Sequence, residues 1–393
     1  MNATTSVSIT PQTETEILNF LLAHALENEQ PIAVWRLPFS TITYVVISDK
    51  YETIAKNSAI EDLAPGFMFA PFDREKDAIF LPANFIFSFE GKQLREAKTP
   101  LETTSSLWLA ESFKPGRKPI VKTAARQPAG PFANFNDLVK KAVAAIQQNE
   151  FEKVVPSRTK SIPLAENFDI VDSFQKLSAA YATALISFVS VPGVGHWLGA
   201  TPETLVTVEG KNIFKTVALA GTLPYKEGMN LKQVAWTEKE IEEQALVERY
   251  VISCFKKIRL REYEEHGPKS MVAGNLVHLK SEFVVDMAAT NFPQLGTVML
   301  QLLHPTSAVC GMPLEPALKF LNANEGYDRE FYAGYLGPVN IQNNIHLFVN
   351  LRCMKLMDGE ARLFAGAGVT VDSEPEKEMN ETEMKFRTLL NIL

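Results

Sequence analysis

Cysteine is scarce in this chain, with Cys254, Cys310 and Cys353 the only three in 393 residues. An odd number scattered without metal-ligand spacing excludes a disulfide framework and reads as reduced core residues of a cytosolic protein. Long apolar runs are missing too: no uninterrupted stretch reaches the ~18 residues of a membrane span. The start, Met1-Asn-Ala-Thr-Thr-Ser-Val-Ser8, is neither basic nor apolar. A cytoplasmic protein, neither secreted nor membrane-spanning, is expected. Positive charge is not in excess, since 39 basic against 46 acidic residues leave a net charge of −7. That balance argues against a nucleic-acid or anionic-membrane partner, so an anionic substrate would need local cations or a metal. Dinucleotide and P-loop fingerprints, internal repeats and low-complexity tracts are also absent.

What is present is a globular composition, long enough for one large core or two ordinary domains. Thr13 and Glu16 have capping-box spacing ahead of Ile17, Leu18, Leu21, Leu22 and Leu26, predicting a first helix with a structural His24 on it. Strands are predicted at Ala33 to Leu37, Ile42 to Ile47 and Ile79 to Leu81. A basic, proline-rich surface connection follows over 114–131. Leu138, Val139, Ala142, Val143 and Ile146 mark an amphipathic helix leading into the strand Phe151 to Val155. Further strands are read at Ala184 to Val191, His196 to Ala200, Leu205 to Val208, Ile213 to Leu219, Ile345 to Met354 and Ala361 to Val369, with helices near 237–257 and 313–323. The pattern is α+β, with large, mostly antiparallel sheets flanked by helices and no βαβ repeat.

Five segments could carry chemistry. Gly366-Ala367-Gly368 runs on into a helix with Glu378, Glu381 and Lys385 on one face. Glycines let backbone N–H groups approach an anion, and carboxylates three residues apart can share a hard cation. Glu240 and Glu243 repeat that spacing on an earlier helix, although alone they read as an ordinary charged surface. Lys153 opens an apolar strand and Glu203 sits at a proline turn between two strands; singly, each reads as a strand-end or turn residue. Arg352 follows Leu347-Phe-Val-Asn-Leu351 in a stretch suited to a core, where a cation needs an anionic partner.

In this order and spacing, six blocks resemble the chorismate-utilising enzymes, which include isochorismate, salicylate, anthranilate and aminodeoxychorismate synthases. They are Lys153-Val-Val-Pro-Ser-Arg158, Gly199-Ala-Thr-Pro-Glu203, Leu219-Ala-Gly-Thr222, Lys239-Glu-Ile-Glu-Glu243, Leu303-His-Pro-Thr-Ser-Ala308, and Gly366 through Lys385. The resemblance implies a single chorismate-binding domain over 1–393, with 1–130 a divergent part of the same fold and 131–393 bearing the motifs. It implies chorismate as substrate and Mg²⁺ as cofactor, held by Glu243 and Glu378 with Glu240 and Glu381 as outer or water-mediated partners. Arg352, Tyr332 and the backbone of Gly366, Ala367 and Gly368 would grip the pyruvyl carboxylate. Gly221, Thr222, His304, Ala308 and Lys385 would complete the substrate site.

The resemblance also bears on the reaction. It gives Lys153 the activation of water at ring C2 and Glu203 the protonation of the departing C4 hydroxyl, which together form isochorismate, the precursor of menaquinone or of a siderophore. A lysine works as a base only when neutral, a form that burial and nearby cations favour. Ala220 stands where lysine-nucleophile aminodeoxychorismate synthases carry a lysine. Lys153 itself disfavours an anthranilate synthase, and no glutaminase subunit is expected. A salicylate synthase is the nearer alternative, but His304 and Ala308 look like the isochorismate version of their segment. A catalytically silent paralogue is the alternative of another class. Gln244, Pro156 and Tyr335-Leu-Gly-Pro338 depart from the family pattern, and His278 and His346 read as structural.

Overall fold

The computed structural model describes residues 13–90, 93–96, 116, 119, 134–273 and 276–393. Apart from Gly116 and Pro119, the proline-rich connection at 114–131 lies outside the described residues. The first helix, Glu14–Glu27, starts as expected: Thr13 and Glu16 exchange side-chain-to-backbone hydrogen bonds in a capping box.

Among the described residues, two nine-stranded antiparallel sheets form the body. The first runs, edge to edge, through Gln93–Glu96, Phe85–Glu90, Ile42–Ile47, Ile32–Arg36, Leu185–Val191, Gly195–Thr201, Cys353–Met357, Glu360–Gly366 and Ser157–Pro163. The second runs through Glu264–Ala273, Leu276–Asp286, Ile213–Pro224, Thr204–Glu209, Ile345–Val349, Tyr335–Val339, Gly66–Ala70, Ala78–Pro82 and Glu52–Ile54. Residues 32–96 thus supply strands to both sheets, hydrogen-bonded directly to strands from the motif-bearing part.

Period-two alternation explains the layering. Ala33, Trp35, Tyr44, Val46, Leu185, Val189 and Trp197 point from the first sheet into a core shared with Phe67 and Phe69 of the second. Their neighbours Ile32, Val34, Val45, Ile47, Ile186, Phe188 and Leu198 point the other way. There the first helix, the helix Ile170–Ala180 and the end of Pro375–Leu390 cover them through Leu18, Leu21, Phe174, Leu177, Phe386 and Leu389. Helices Glu238–Lys257 and Leu295–Leu303 pack Val247, Val251, Phe255, Met299 and Leu303 into the shared core. All three cysteines are buried and unpaired.

One strand expected from the sequence is two. The run read as Ile345 to Met354 breaks after Val349 and resumes at Cys353, in the other sheet. Arg352 lies in the break with a left-handed φ of +48°, costly for a residue with a Cβ. Helices Ile170–Ala180 and Leu295–Leu303 and the hairpin of Glu264–Ala273 with Leu276–Asp286 were not anticipated.

Candidate active site

The chain passes between the sheets twice, at neighbouring places. Gly195–Thr201 of the first sheet leads into Thr204–Glu209 of the second, and Ile345–Val349 of the second leads into Cys353–Met357 of the first. These strands are also antiparallel partners, pair by pair. The two crossings are tied by Ala200 N donating to Arg352 O at 3.1 Å, Val349 N to Glu203 O at 2.9 Å and Thr201 Oγ1 to Val349 O at 2.5 Å. Glu203 and Arg352, 149 positions apart in sequence, are brought by this topology to one gap between the sheets.

A cavity of about 790 Å³ opens there. Lys153, Glu203, Thr222, Glu243, Ala308, Tyr332, Arg352, Gly366, Gly368, Glu381 and Lys385 line it. Lys153 is 2% exposed, and its Nζ donates to Glu243 Oε1 at 2.9 Å. A Cβ on Gly368 would meet Lys153 Cε at 3.1 Å and Glu243 Oε1 at 3.3 Å, so a glycine there leaves room for this pair. Among the described residues the Gly368 N–H has no acceptor, whereas those of Ala367 and Val369 are spent on Pro156 O and Val154 O. Lys385 Nζ donates to Gly366 O and to Glu381 Oε1, both at 2.7 Å.

The Arg352 side chain makes a single hydrogen bond among the described residues, from Nη1 to Thr388 Oγ1 at 3.3 Å, and no ion pair. The anionic partner it requires is not among the described residues, and the cavity is where one could come from. Burial pushes the Glu203 carboxyl up to about 7, against the opposing pull of Lys385, Lys153 and Arg352. Glu203 can therefore hold a proton near neutrality. Burial alone would raise Glu243 as well, but the Lys153 ammonium holds it below the usual carboxylate range.

Five predicted residues stand outside the cavity lining. Glu240 turns back to Thr237, closing a capping box with the backbone N–H at 3.0 Å and with the hydroxyl. Gly221, at φ +61°, forms a bulge in Ile213–Pro224, where a Cβ would press on Glu240 at 3.1 Å. Ala367 is fully buried. His304 lines a separate cavity, with its Nε2 3.1 Å from Pro71 O and its ring edge-on to Tyr335.

Glu378 is buried, and its Oε1 has no hydrogen-bond partner. Burial, then the nearby Glu381, raises its carboxyl, while the closest cation, Lys239 Nζ, stands 3.8 Å away. As the side chains lie, no three His, Cys, Asp or Glu groups among the described residues are gathered around a metal position. The donor chemistry nevertheless fits a hard cation: an orphaned carboxylate oxygen, Glu381 beside it and Glu243 on the facing helix are all oxygen ligands.

His278 was read as structural, yet it lines the cavity. Its Nδ1 lies 3.0 Å from Gly221 O, which assigns the ring hydrogen to Nδ1 and leaves the buried Nε2, without a partner, as an acceptor. Burial and then Arg352 hold the ring down to about 4, so it stays neutral. Gln244 fastens the Glu238–Lys257 helix to the sheet, accepting from Ala220 N at 2.9 Å and donating to Ala218 O at 3.2 Å.

The sequence profile described as "Chorismate binding enzyme" matches residues 33–393. The chain belongs to the chorismate-binding enzyme family. Among curated members, isochorismate synthase EntC of Escherichia coli K12 is 28% identical over 332 residues, covering 82% of this chain and 79% of its own length. The salicylate biosynthesis isochorismate synthase of Pseudomonas aeruginosa is 30% identical over 383 residues, covering 88% and 78%. Among solved structures, MenF, the menaquinone-specific isochorismate synthase of E. coli, superposes with a TM-score of 0.73 at 20% identity over 94% of this chain and 91% of that one. The family's fold is therefore the one described, and no helix among the described residues is long and apolar enough to cross a membrane.

Proposed function

We propose that this member of the family is an isochorismate synthase, isomerising chorismate by adding water at C2 and releasing the C4 hydroxyl. One observation carries the reading: a buried lysine and a carboxyl able to keep its proton near pH 7 share a cavity with an arginine that has no anionic partner. Arg352 binds the pyruvyl carboxylate, its planar fork suited to two hydrogen bonds, with the Tyr332 hydroxyl and the Gly368 N–H as further donors. Lys153, once its ammonium has given up a proton to solvent, takes a proton from the attacking water, and protonated Glu203 gives its own to the departing hydroxyl, which leaves as water. One water enters and one leaves, so the product is an isomer. Neutral His278 offers its Nε2 as an acceptor to a hydroxyl of the bound ring.

Mg²⁺ would be held by Glu243, Glu378 and Glu381, with Glu240 farther out, and when bound would neutralise the ring carboxylate and fix the ring's position. Release of Lys153 from Glu243 would leave its Nζ facing the substrate.

A salicylate synthase is the second reading, because it would form the same intermediate and then eliminate pyruvate. Ala308 disfavours it, since this wall of the cavity carries a methyl group where a hydroxyl could hold the intermediate for elimination. The test is incubation with chorismate and Mg²⁺, with and without EDTA, resolving products by chromatography. Metal-dependent isochorismate without pyruvate is the expected result. Stoichiometric salicylate and pyruvate would replace the reading with the second one, and tight chorismate binding without turnover would make the protein a silent paralogue. Among the relatives' names one is menaquinone-specific and another is of salicylate biosynthesis, two different destinations for the product.

A further inference from the structure

A second buried ion pair lies behind the cavity wall and takes part in no step above. Arg329 is 3% exposed and Glu325 is 5% exposed. The guanidinium donates from Nε to Glu325 Oε2 and from Nη2 to Glu325 Oε1, both at 2.7 Å. Its remaining reach goes to two backbone carbonyls, from Nη1 to Val309 O at 2.9 Å and from Nη2 to Val155 O at 2.7 Å. Glu325 Oε1 accepts in turn from Ser157 N and Ser157 Oγ, both at 2.7 Å. Tyr332 N donates to Arg329 O at 2.9 Å.

The pair therefore touches three segments, each of which lines the cavity through a neighbour: Lys153 with Val155, Ala308 with Val309, and Tyr332. Apart from it, the first two are joined mainly by a ladder of two residues a side, Lys153–Val154 with Gly311–Met312, extended by one bond at each end, from Glu152 N to Met312 O at 2.8 Å and from Val155 N to Cys310 O at 2.9 Å. So short a ladder has little to hold its register, whereas a planar fork in fixed hydrogen bonds to both segments locks it.

We propose that Arg329, with Glu325 as its counter-ion, is a positioning residue that sets Lys153 against the Ala308 wall. The inference rests on the reading of Lys153 as the group that activates water. Loosening the clamp would displace that group while leaving Arg352, which sits on the sheet crossover, to bind substrate as before. The effect belongs in kcat and not in KM.

The test compares Arg329→Lys, which keeps the charge and loses the fork, with Val34→Ala, a core truncation on the far face of the first sheet, at matched loss of Tm. Arg329→Lys is expected to lower kcat by about tenfold or more with KM for chorismate changed by less than about threefold, since small misplacements of a reacting group are costly. In a Lys153→Met background the same substitution should cost almost nothing further, the non-additivity of residues that act through one another. Ser157→Ala, which removes one bond to Glu325, should give a smaller loss of the same kind and serves if Arg329→Lys does not fold. Equal losses in both backgrounds, a loss no larger than that of Val34→Ala, or a rise confined to KM would each overturn the inference and leave the isochorismate reading standing. A wild-type enzyme that binds chorismate without converting it would overturn that reading and this inference with it.

Discussion

Two lysine- or arginine-to-glutamate pairs stand within a few residues of each other around the 153–157 segment, and they are built oppositely. Arg329–Glu325 is closed: both carboxylate oxygens and three guanidinium nitrogens are hydrogen-bonded to protein. Lys153–Glu243 is open, joined by one bond of 2.9 Å with Glu243 28% exposed on the cavity side. The first pair has nothing left to offer a ligand. The second is an ammonium and a carboxylate with unused valence facing a cavity, which is what chemistry or a metal requires.

Breaking each pair should separate stability from activity. Arg329→Met leaves Glu325 as an uncompensated buried charge and should cost about 3–5 kcal/mol of stability, measured by denaturant unfolding. Lys153→Met should lower kcat by about 10²–10⁴-fold, measured with chorismate as substrate. Its Tm should stay near wild type, because Glu243 can rehydrate from the cavity. Were the melting temperature to fall as far as in Arg329→Met, the contrast between the pairs would be wrong.

Glu203→Gln sharpens the comparison from the acid side. It should lower kcat by about 10²–10³-fold and remove the alkaline limb of the pH profile. With the folded carboxyl raised to about 7 from an ordinary 4.5, the wild-type acid is protonated below that pH, so kcat falls as pH rises through about 7. The same shift acts on stability. The folded state holds the proton that the unfolded state has released, so this contribution is full below about pH 4.5 and is lost as pH rises towards 7. Between pH 5 and 8 the Tm of Glu203→Gln should therefore fall less than that of wild type in paired thermal scans. A smaller change, Gly368→Ala, would press a methyl group to 3.1 Å from Lys153 Cε. About a tenfold fall in kcat is expected, against no more than about 1 kcal/mol of stability, and an unchanged rate would mean the open pair has slack.

Much of the site was legible because its residues stand in blocks whose order carries information that no single residue does. Lys153, Glu203, Glu243 and Lys385 read individually as a strand end, a turn and charged surface, and Arg352 as a core cation in need of an anion, yet the five share one cavity. What escaped depended on contacts distant in sequence. His278 occupies an ordinary position in Leu276–Asp286, and only the bulge at Gly221 on the neighbouring strand turns a carbonyl towards its ring. The split at Val349 was hidden because Leu351 continues the apolar pattern through the crossing. Glu240 could have been placed: Thr237 and Glu240 have the spacing that located the first helix at Thr13 and Glu16. His304 shows the converse, a residue in a matching block that faces a different cavity.

The paired crossings near Glu203 and Arg352 have a mechanical consequence. A molecule whose two layers are stitched by adjacent, mutually hydrogen-bonded strands cannot part along that seam without shearing both stitches. The floor of the cavity is thus a fixed corner: Glu203 and Arg352 keep their separation, and any ligand that reaches both is gauged by the sheets themselves.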